Sequence, residues 1–402
     1  MIYKKIFMLA FGALFFSQVP GQGLWTQKAN IPCSGRCDLA SFSIEQKGYF
    51  GCGTDTNGKM NNDLWEWNQV TNSWLSKVSL PGLPRRSPIS FSIEKKGYIC
   101  VGIDSTNNGT PEVWEWDQNS NTWSQKSDFP GPCRGLAVGF SIGSKGYIGT
   151  GSGEIGYLKD FWEYDQATDT WTQKADFGGS ARYDAQGFSI GNKGYIGGGI
   201  SDIGPPFLQI DFWEYDPLTD TWTQKANLPE YRCNAAGFSI GNNGYFCAGV
   251  NDVSQLNDLI EWNQSINIWT HKAALPANAR HIPIGFSIGN KGYVGMGVSA
   301  QSLLNDFWEY TPEGNVVYEF EPESNVLVYP NPFSDFTMLQ FTTSVHNATL
   351  SVYDILGNEI KRIENFSGKG IKISRSGMSS GMYFFKVFDH NITIGQGKII
   401  VE

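Results

Sequence analysis

Two chemically active series run through this chain in step. Arg36, Arg85, Arg134, Arg182, Arg232 and Arg280 each stand six residues ahead of the phenylalanine of an "FSI" triplet. Asp63, Glu112, Asp160, Asp211, Asp258 and Asp306 each stand two residues ahead of "WE" or "IE". A guanidinium and a carboxylate that recur together can form forked, two-point ion pairs, for which the planar donors of arginine are suited. Such pairs have two uses: a structural girdle around one rim, or an array of arginines turned toward an axis to hold an anionic ligand such as a carboxylate-bearing sugar. A ligand without six-fold symmetry cannot use six equivalent positions equally, so recurrence by itself favours the girdle. The same reasoning assigns Glu66, Glu115, Glu163, Glu214, Glu261 and Glu309, one per repeat, to the scaffold.

No nucleophile, metal set or cofactor motif stands out, so no catalytic residue, metal or cofactor is assigned. His271 replaces the glutamine of a recurring "WTQK", far from any axis, and His281 is the other histidine of the repeats. "DTNG" at Asp55 to Gly58 resembles the start of a calcium loop but lacks the remaining ligands. The seven cysteines lack the paired C-x-x-C spacing of a zinc site. Their number is odd, and they are read as core or loop thiols.

The elements that position these series are legible from their period. Trp25, Trp74, Trp123, Trp171, Trp222 and Trp269 are separated by 49, 49, 48, 51 and 47 residues, and the glycines of "KGY" or "NGY" (Gly48, Gly97, Gly146, Gly194, Gly244, Gly292) by 49, 49, 48, 50 and 48. Repeats of this length signal a solenoid, a propeller or an array. Within each repeat, "FSI" and "YIGG"-like runs flank a tight turn, while "DFWEY" and "TWTQK" alternate large apolar and polar residues, as half-buried strands do. That gives four strands per repeat and no helix. The last repeat lacks a "TWTQK" strand and the first such strand, "LWTQKA" at 24–29, has no partner before it. The expectation is that the two ends complete one unit, with Trp25 as the clasp and no free sheet edge left.

The "KGY" aromatic, the fixed nine-residue Trp-to-Trp spacing of "WEYDQATDTW" and the leading arginine together resemble the kelch repeat over roughly residues 24–315. The resemblance implies an all-β fold: a six-bladed kelch-like β-propeller closed by the N-terminal outer strand. The chain departs from the family at the double glycine, where it has "GCG", "CVG", "GTG", "GGG", "CAG" and "GMG". Among kelch-like enzymes, copper radical oxidases need a two-His metal site that the histidines here do not supply. "ATDTW" lacks the glycine of a sialidase Asp-box. Sialic acid mutarotases use a carboxylate and an arginine at the axis for acid–base chemistry, and this is the alternative function; no sequence motif displays an asymmetric polar cluster there.

At 402 residues with 14% aromatic and 17% charged residues the chain is globular rather than disordered, and a net charge of -9 excludes a nucleic-acid partner, which needs a basic face. Lys4, Lys5 and the apolar run Ile6 to Phe16 read as a signal peptide over 1–21, too short to span a bilayer. Residues 22–315 form the propeller and 316–325 an acidic linker. Residues 326–402 carry "VLVYPNPFSD", "LSVYDILGNEI", "SSGMYFFKV" and "GKIIV" in order, a pattern similar to the type A sorting domain of the type IX secretion system, with Tyr329, Pro330, Asn331 and Pro332 as its sorting motif. Alternating strands between Asn-Pro and Ser-Gly turns make this a small Ig-like β-sandwich. The resemblance implies the type IX machinery as a partner and a secreted or outer-surface location; no later stretch is apolar enough for a membrane span, and a monomer is expected.

Variation concentrates in the loops between the second and third strands, where binding residues collect on a rigid scaffold. The longest runs from Ser201 to Ile210. With Tyr157, the residues Ile203, Phe207 and Leu208 form the expected binding loops. The reading is therefore an exported binding module for a protein or glycan.

Overall fold

The computed structural model describes residues 22–202, 207–312, 326–354, 358–389 and 392–402. The expected signal peptide (1–21), the linker (316–325) and Ile203 lie outside the described residues. Two compact units divide at Gly314 and Asn315. Every regular element among the described residues is a strand, and no helix there is long and apolar enough to cross a membrane.

The first unit contains six four-stranded antiparallel sheets. The first sheet comprises Ala40–Ile44, Lys47–Gly51, Leu64–Asn68 and Ser73–Lys77, in that order. The other five repeat this order, and their innermost strands touch in a closed cycle, the last (Ile284–Ile288) returning to the first (Ala40–Ile44). Leu24–Gln27 supplies the outer strand of the last sheet, pairing antiparallel with Phe307–Thr311 so that Trp25 faces Tyr310.

Each repeat marker has a packing reason. The "KGY" glycine lies under the "FSI" phenylalanine of the preceding sheet. A Cβ on Gly146 would lie 2.2 Å from Phe91, and one on Gly48 would meet Phe286 at the same 2.2 Å, across the junction of the last and first sheets. Only a residue without a side chain leaves room for the ring. Gly146→Ala is therefore expected to cost about 1–3 kcal/mol by overpacking, read as a lower urea midpoint, and Phe91→Leu in the same chain should restore part of it. An unchanged midpoint for Gly146→Ala would refute the interlock.

The outer tryptophans link neighbouring sheets through their indole N–H. Trp74 donates to Ala29 O at 2.9 Å, Trp123 to Val78 O at 2.8 Å and Trp269 to Ala226 O at 2.9 Å. Trp25 makes the equivalent bond to Ala273 O at 2.7 Å. Inside each sheet the recurring glutamate accepts the phenol of the "KGY" tyrosine, as Glu66 does from Tyr49 at 2.9 Å and Glu309 from Tyr293 at 2.7 Å. A lysine completes the contact, Lys47 with Glu66 at 2.8 Å. These glutamates are consumed by the scaffold.

The seven cysteines are all free thiols. Burial pushes the Cys52 and Cys247 thiols up to about 12, so both are inert neutral core groups.

In the second unit, hydrogen bonding joins all five strands into one antiparallel sheet rather than the two separate sheets of the expected sandwich. The cause is the length of Phe336–Tyr353 and Glu359–Ser374, which pair with each other across several bulges and carry the ladder through. Leu339, Leu350, Val352, Phe385 and Val387 fill its core. Asn331 fastens the start of this unit to the strand Ile392–Val401: its side-chain amide donates to Lys398 O at 3.1 Å, and its amide oxygen accepts from Ile400 N at 2.7 Å. Tyr329 is exposed.

Candidate functional site: the axial mouth

The ring arginines all lie in short segments entering the innermost strands, and all are buried. Five make forked bridges to the acid of their own sheet. Arg134 reaches Asp160 at 2.7 and 2.6 Å, Arg232 reaches Asp258 at 2.8 and 2.6 Å, and Arg280 reaches Asp306 at 2.6 and 2.8 Å. Arg36–Asp63 and Arg182–Asp211 repeat the geometry, while Arg85 meets Glu112 through one nitrogen. The acid also accepts an indole N–H, as Asp160 does from Trp162 at 2.7 Å. Burial pushes the Asp160 and Asp306 carboxyls up, but the Arg134 and Arg280 guanidiniums outweigh it and hold both below the ordinary carboxylate range.

The same guanidiniums account for the departure at the double glycine. Cys52, Val101, Thr150, Ala248 and Met296 stand in the left-handed region, at φ 62°, 51°, 60°, 62° and 58°, where side chains are disfavoured. Their carbonyls accept from the arginine of the same sheet, Thr150 O from Arg134 at 2.9 Å and Ala248 O from Arg232 at 2.7 Å. A fixed charge-assisted bond offsets the backbone cost that glycine avoids elsewhere. Of the two uses open to the arginines, this geometry favours the girdle.

What the girdle positions is the residue two places on. Asp38, Ser87, Leu136, Asp184, Asn234 and Ile282 all adopt left-handed backbones, with φ from 49° to 59°. Backbone bonds link them from sheet to sheet: Ser87 N to Asp38 O at 2.9 Å, Asp184 N to Leu136 O at 2.9 Å, Asn234 N to Asp184 O at 3.0 Å and Ile282 N to Asn234 O at 2.8 Å. These six residues line one cavity of about 170 Å³. Here the repeats stop being equivalent. The ring reads Asp, Ser, Leu, Asp, Asn, Ile, an alternation of carboxylate, neutral polar and aliphatic that occurs twice.

No sequence motif displays a polar cluster at the axis, and the fold assembles one there. Ser87 Oγ donates to Asp38 Oδ1 at 3.1 Å, and Asn234 Nδ2 to Asp184 Oδ2 at 2.9 Å. Neither carboxylate has a basic residue within ion-pair distance among the described residues. Burial, the largest effect, pushes the Asp184 carboxyl up to about 7; the Asn234 amide opposes it and the Asp38 charge adds to it. His281, one place before Ile282, holds Gln255 at 2.8 Å through Nδ1. Burial lowers its pKa against the opposing pull of Asp38.

The raised Asp184 has a consequence for stability. The native state holds a proton that the unfolded chain releases between pH 3.8 and about 7, so this group's contribution is fully present below that window and is lost as pH rises through it. Asp184→Asn should leave the melting temperature unchanged below pH 3.8 and raise it relative to the parent chain above pH 7. Parallel melting curves for the two chains at all pH values would refute a buried, uncompensated Asp184.

The loop residues fall elsewhere. Phe207 is 54% exposed, its carbonyl accepting from Ser201 N at 2.9 Å; Leu208 is half-buried and bridges Ile200. Tyr157 packs its ring 4.6 Å from Tyr183, the neighbour of Asp184. Sequence reasoning missed Asp38 and Asp184 because it tracked invariant positions. The available signal was a variable position, two residues after each invariant arginine.

Comparison with solved structures finds similarity to the one titled "Structure of YjhT", at 15% identity and TM-score 0.62, covering 71% of this chain and 97% of that one. At that identity the likeness establishes an all-β, propeller-like fold and nothing further. An endo-acting ulvan lyase of Formosa agariphila is 36% identical over 80 residues, 20% of this chain and 15% of the lyase. The chain thus spans a small part of that relative. Residues 327–402 match the family described as the secretion system C-terminal sorting domain, which supports export through type IX secretion, and this part of the chain belongs to that family.

Proposed function

We propose that the chain is an exported binding module: a six-bladed kelch-like propeller over residues 22–315 that seats a small polar ligand at its axial mouth. A signal peptide (1–21) and the C-terminal domain (326–402) would carry it through the type IX machinery to the outer surface or medium, as a monomer. The observation that carries the reading is the axial ring, where equivalent positions of the six repeats present Asp, Ser, Leu, Asp, Asn and Ile around a cavity of about 170 Å³. In this reading the ring arginines are the frame, and Tyr157, Phe207 and Leu208 are a flanking surface for a larger partner.

The test is a glycan array probed with the full chain and with Asp38→Asn/Asp184→Asn. Specific hits that vanish in the double variant support axial binding. Hits that survive it but vanish in Phe207→Ser move the site to the loops and overturn the axial reading.

A second reading, a carbohydrate-active enzyme of the sialic acid mutarotase type, is favoured by one observation: two axial carboxylates free of arginine, one poised near neutrality. Magnetisation exchange between the anomers of N-acetylneuraminate, faster with the parent chain than with Asp184→Asn, would support it. Equal exchange rates with and without protein would exclude it.

A further inference from the structure

In the loops between second and third strands, exposed large apolar side chains are confined to one arc. Ile155, Phe207 and Val253 are 75%, 54% and 84% exposed, and they belong to the third, fourth and fifth sheets in turn. The corresponding loops of the first, second and sixth sheets expose serine, threonine, asparagine, glutamine and Lys59, with no large apolar side chain among them. The fold does not require the difference, because all six loops are fastened alike. A backbone N–H at the root of each donates to the carbonyl of the next sheet's ring arginine: Gly53 to Arg85 O at 2.9 Å in the polar arc, Gly151 to Arg182 O at 2.7 Å, Gly199 to Arg232 O at 2.8 Å and Gly249 to Arg280 O at 2.8 Å in the apolar one. These bonds hold the three apolar loops side by side. The Tyr157 ring, 4.6 Å from that of Tyr183, ties the first of them to the segment entering the next sheet.

The same three loops carry a second feature, which is their charge. Each presents an exposed carboxylate with its apolar tip: Glu154 beside Ile155, Asp252 beside Val253, and Asp202 in the loop of Phe207. None of the three carboxylates forms an ion pair or a side-chain hydrogen bond among the described residues. Lys159, the one lysine of these loops, turns to Asp176 at 3.8 Å instead. The acids of the polar arc are spent on their own turns, Asp55 Oδ1 accepting from Asn57 N at 2.8 Å and Asp104 Oδ1 from Thr106 N at 2.8 Å.

The pairing of features limits the occupant. Apolar tips that gain nothing for the fold gain by being covered, in proportion to the apolar area removed from water. Unpaired carboxylates around them steer a cationic partner in and repel an anionic one. An acidic glycan, a nucleic acid and an anionic lipid surface are disfavoured by that charge. A polypeptide segment that carries lysine or arginine among apolar residues answers both features at once.

We propose that this arc docks a protein partner through a basic, apolar segment, whose apolar side chains cover Ile155, Phe207 and Val253 and whose cations meet Glu154, Asp202 and Asp252. The inference rests on the binding-module reading above, and not on the axial cavity.

The probes are three short immobilised peptides, of alternating lysine and leucine, glutamate and leucine, and lysine and serine, with phosphatidylcholine vesicles as a fourth. Binding of the full chain is followed by surface plasmon resonance at low and high salt. The lysine–leucine peptide is expected to bind at least about tenfold more tightly than either other peptide. Phe207→Ser should weaken it about ten- to a hundredfold, as for an interface anchor. Glu154→Gln/Asp202→Asn/Asp252→Asn should weaken it and flatten its salt dependence. Val70→Ser removes an aliphatic side chain that is 81% exposed in the turn between the outer strands of the first sheet, and it should leave binding unchanged. Melting curves establish that each variant is folded.

Equal binding of the glutamate–leucine peptide would overturn the charge assignment, and equal binding of the lysine–serine peptide the apolar one. Binding to the vesicles alone would overturn a protein partner in favour of a membrane. Binding unchanged in Phe207→Ser, or weakened as much by Val70→Ser, would remove the peptide from this arc. Loss in Asp38→Asn/Asp184→Asn with retention in Phe207→Ser would move it to the axial mouth and overturn the inference while the binding-module reading stands. No binding of any probe would overturn the inference, and the glycan array then decides the binding-module reading separately.

Discussion

Trp25→Ala lowers the thermal midpoint of the first unit and makes it sensitive to protease at the junction of its two ends. Trp25 is 8% exposed, packs 5.1 Å from the Tyr310 ring and donates its indole N–H to Ala273 O at 2.7 Å. Truncating a buried tryptophan costs about 3–5 kcal/mol through lost burial and the cavity left behind. Here the loss has a second stage. Leu24–Gln27 is a four-residue strand held on one side only, by Phe307–Thr311. Once its anchor is gone, it can peel away and leave Phe307–Thr311 as the unpaired edge of that sheet. Trp25→Phe separates the contributions, because it keeps most of the ring and loses the N–H bond, for which about 1 kcal/mol is expected. A Trp25→Ala chain that melts with the parent would refute the role of this strand as the clasp. The other tryptophans of the series make the same bond within the continuous chain, so Trp123→Ala should destabilise without opening the ends.

Asp160→Ala is expected to be as severe for a different reason. The Arg134 side chain is fully buried, and Asp160 supplies two of its bonds, at 2.7 and 2.6 Å. Removing the acid leaves a buried cation with Thr150 O, Pro132 O and the Phe129 ring for company. Breaking a buried pair in this way costs about 3–5 kcal/mol, whereas replacing both partners with apolar groups of similar volume is often close to neutral. Arg134→Met/Asp160→Leu should therefore be more stable than Asp160→Ala. If the single and double variants unfold at the same urea concentration, the pair is not what holds this rim. The acid dependence has the matching sign: Asp160 is held below its usual range, so the bridge contributes above the unfolded carboxylate range and is lost as pH falls through the native value.

These two results would also separate scaffold from site. Asp160 and Asp184 are both acidic residues in the third and fourth repeats, yet one lies opposite a guanidinium and the other opposite only an amide. Asp160→Ala should cost stability, and Asp184→Asn should gain it above pH 7 while losing ligand. The same opposition separates the invariant series from the residues that face the cavity. A position identical in every repeat is one that every sheet needs for itself.

The sequence by itself determined a good deal of this protein, because most of its information is periodic. The Trp and "KGY" steps reported the repeat, the alternation in "DFWEY" and "TWTQK" reported half-buried strands, and the unpaired "LWTQKA" at 24–29 pointed to the partner it finds at Phe307–Thr311. Four ordered motifs sufficed to place a sorting domain over residues 326–402, and the family match covers 327–402. Each of these is a local pattern, fixed by which face of a strand is buried. Only the tertiary structure decided the site. Asp38 and Asp184 are 146 residues apart, and their shared place two residues after an arginine does not by itself bring them together. They share a cavity because the left-handed residues after Arg36 and Arg182 turn each chain segment toward a common centre. Their electrostatics likewise depend on where the arginines go. A sequence shows that the charges are present; the fold determines which carboxylates receive a guanidinium and which are left to face the cavity.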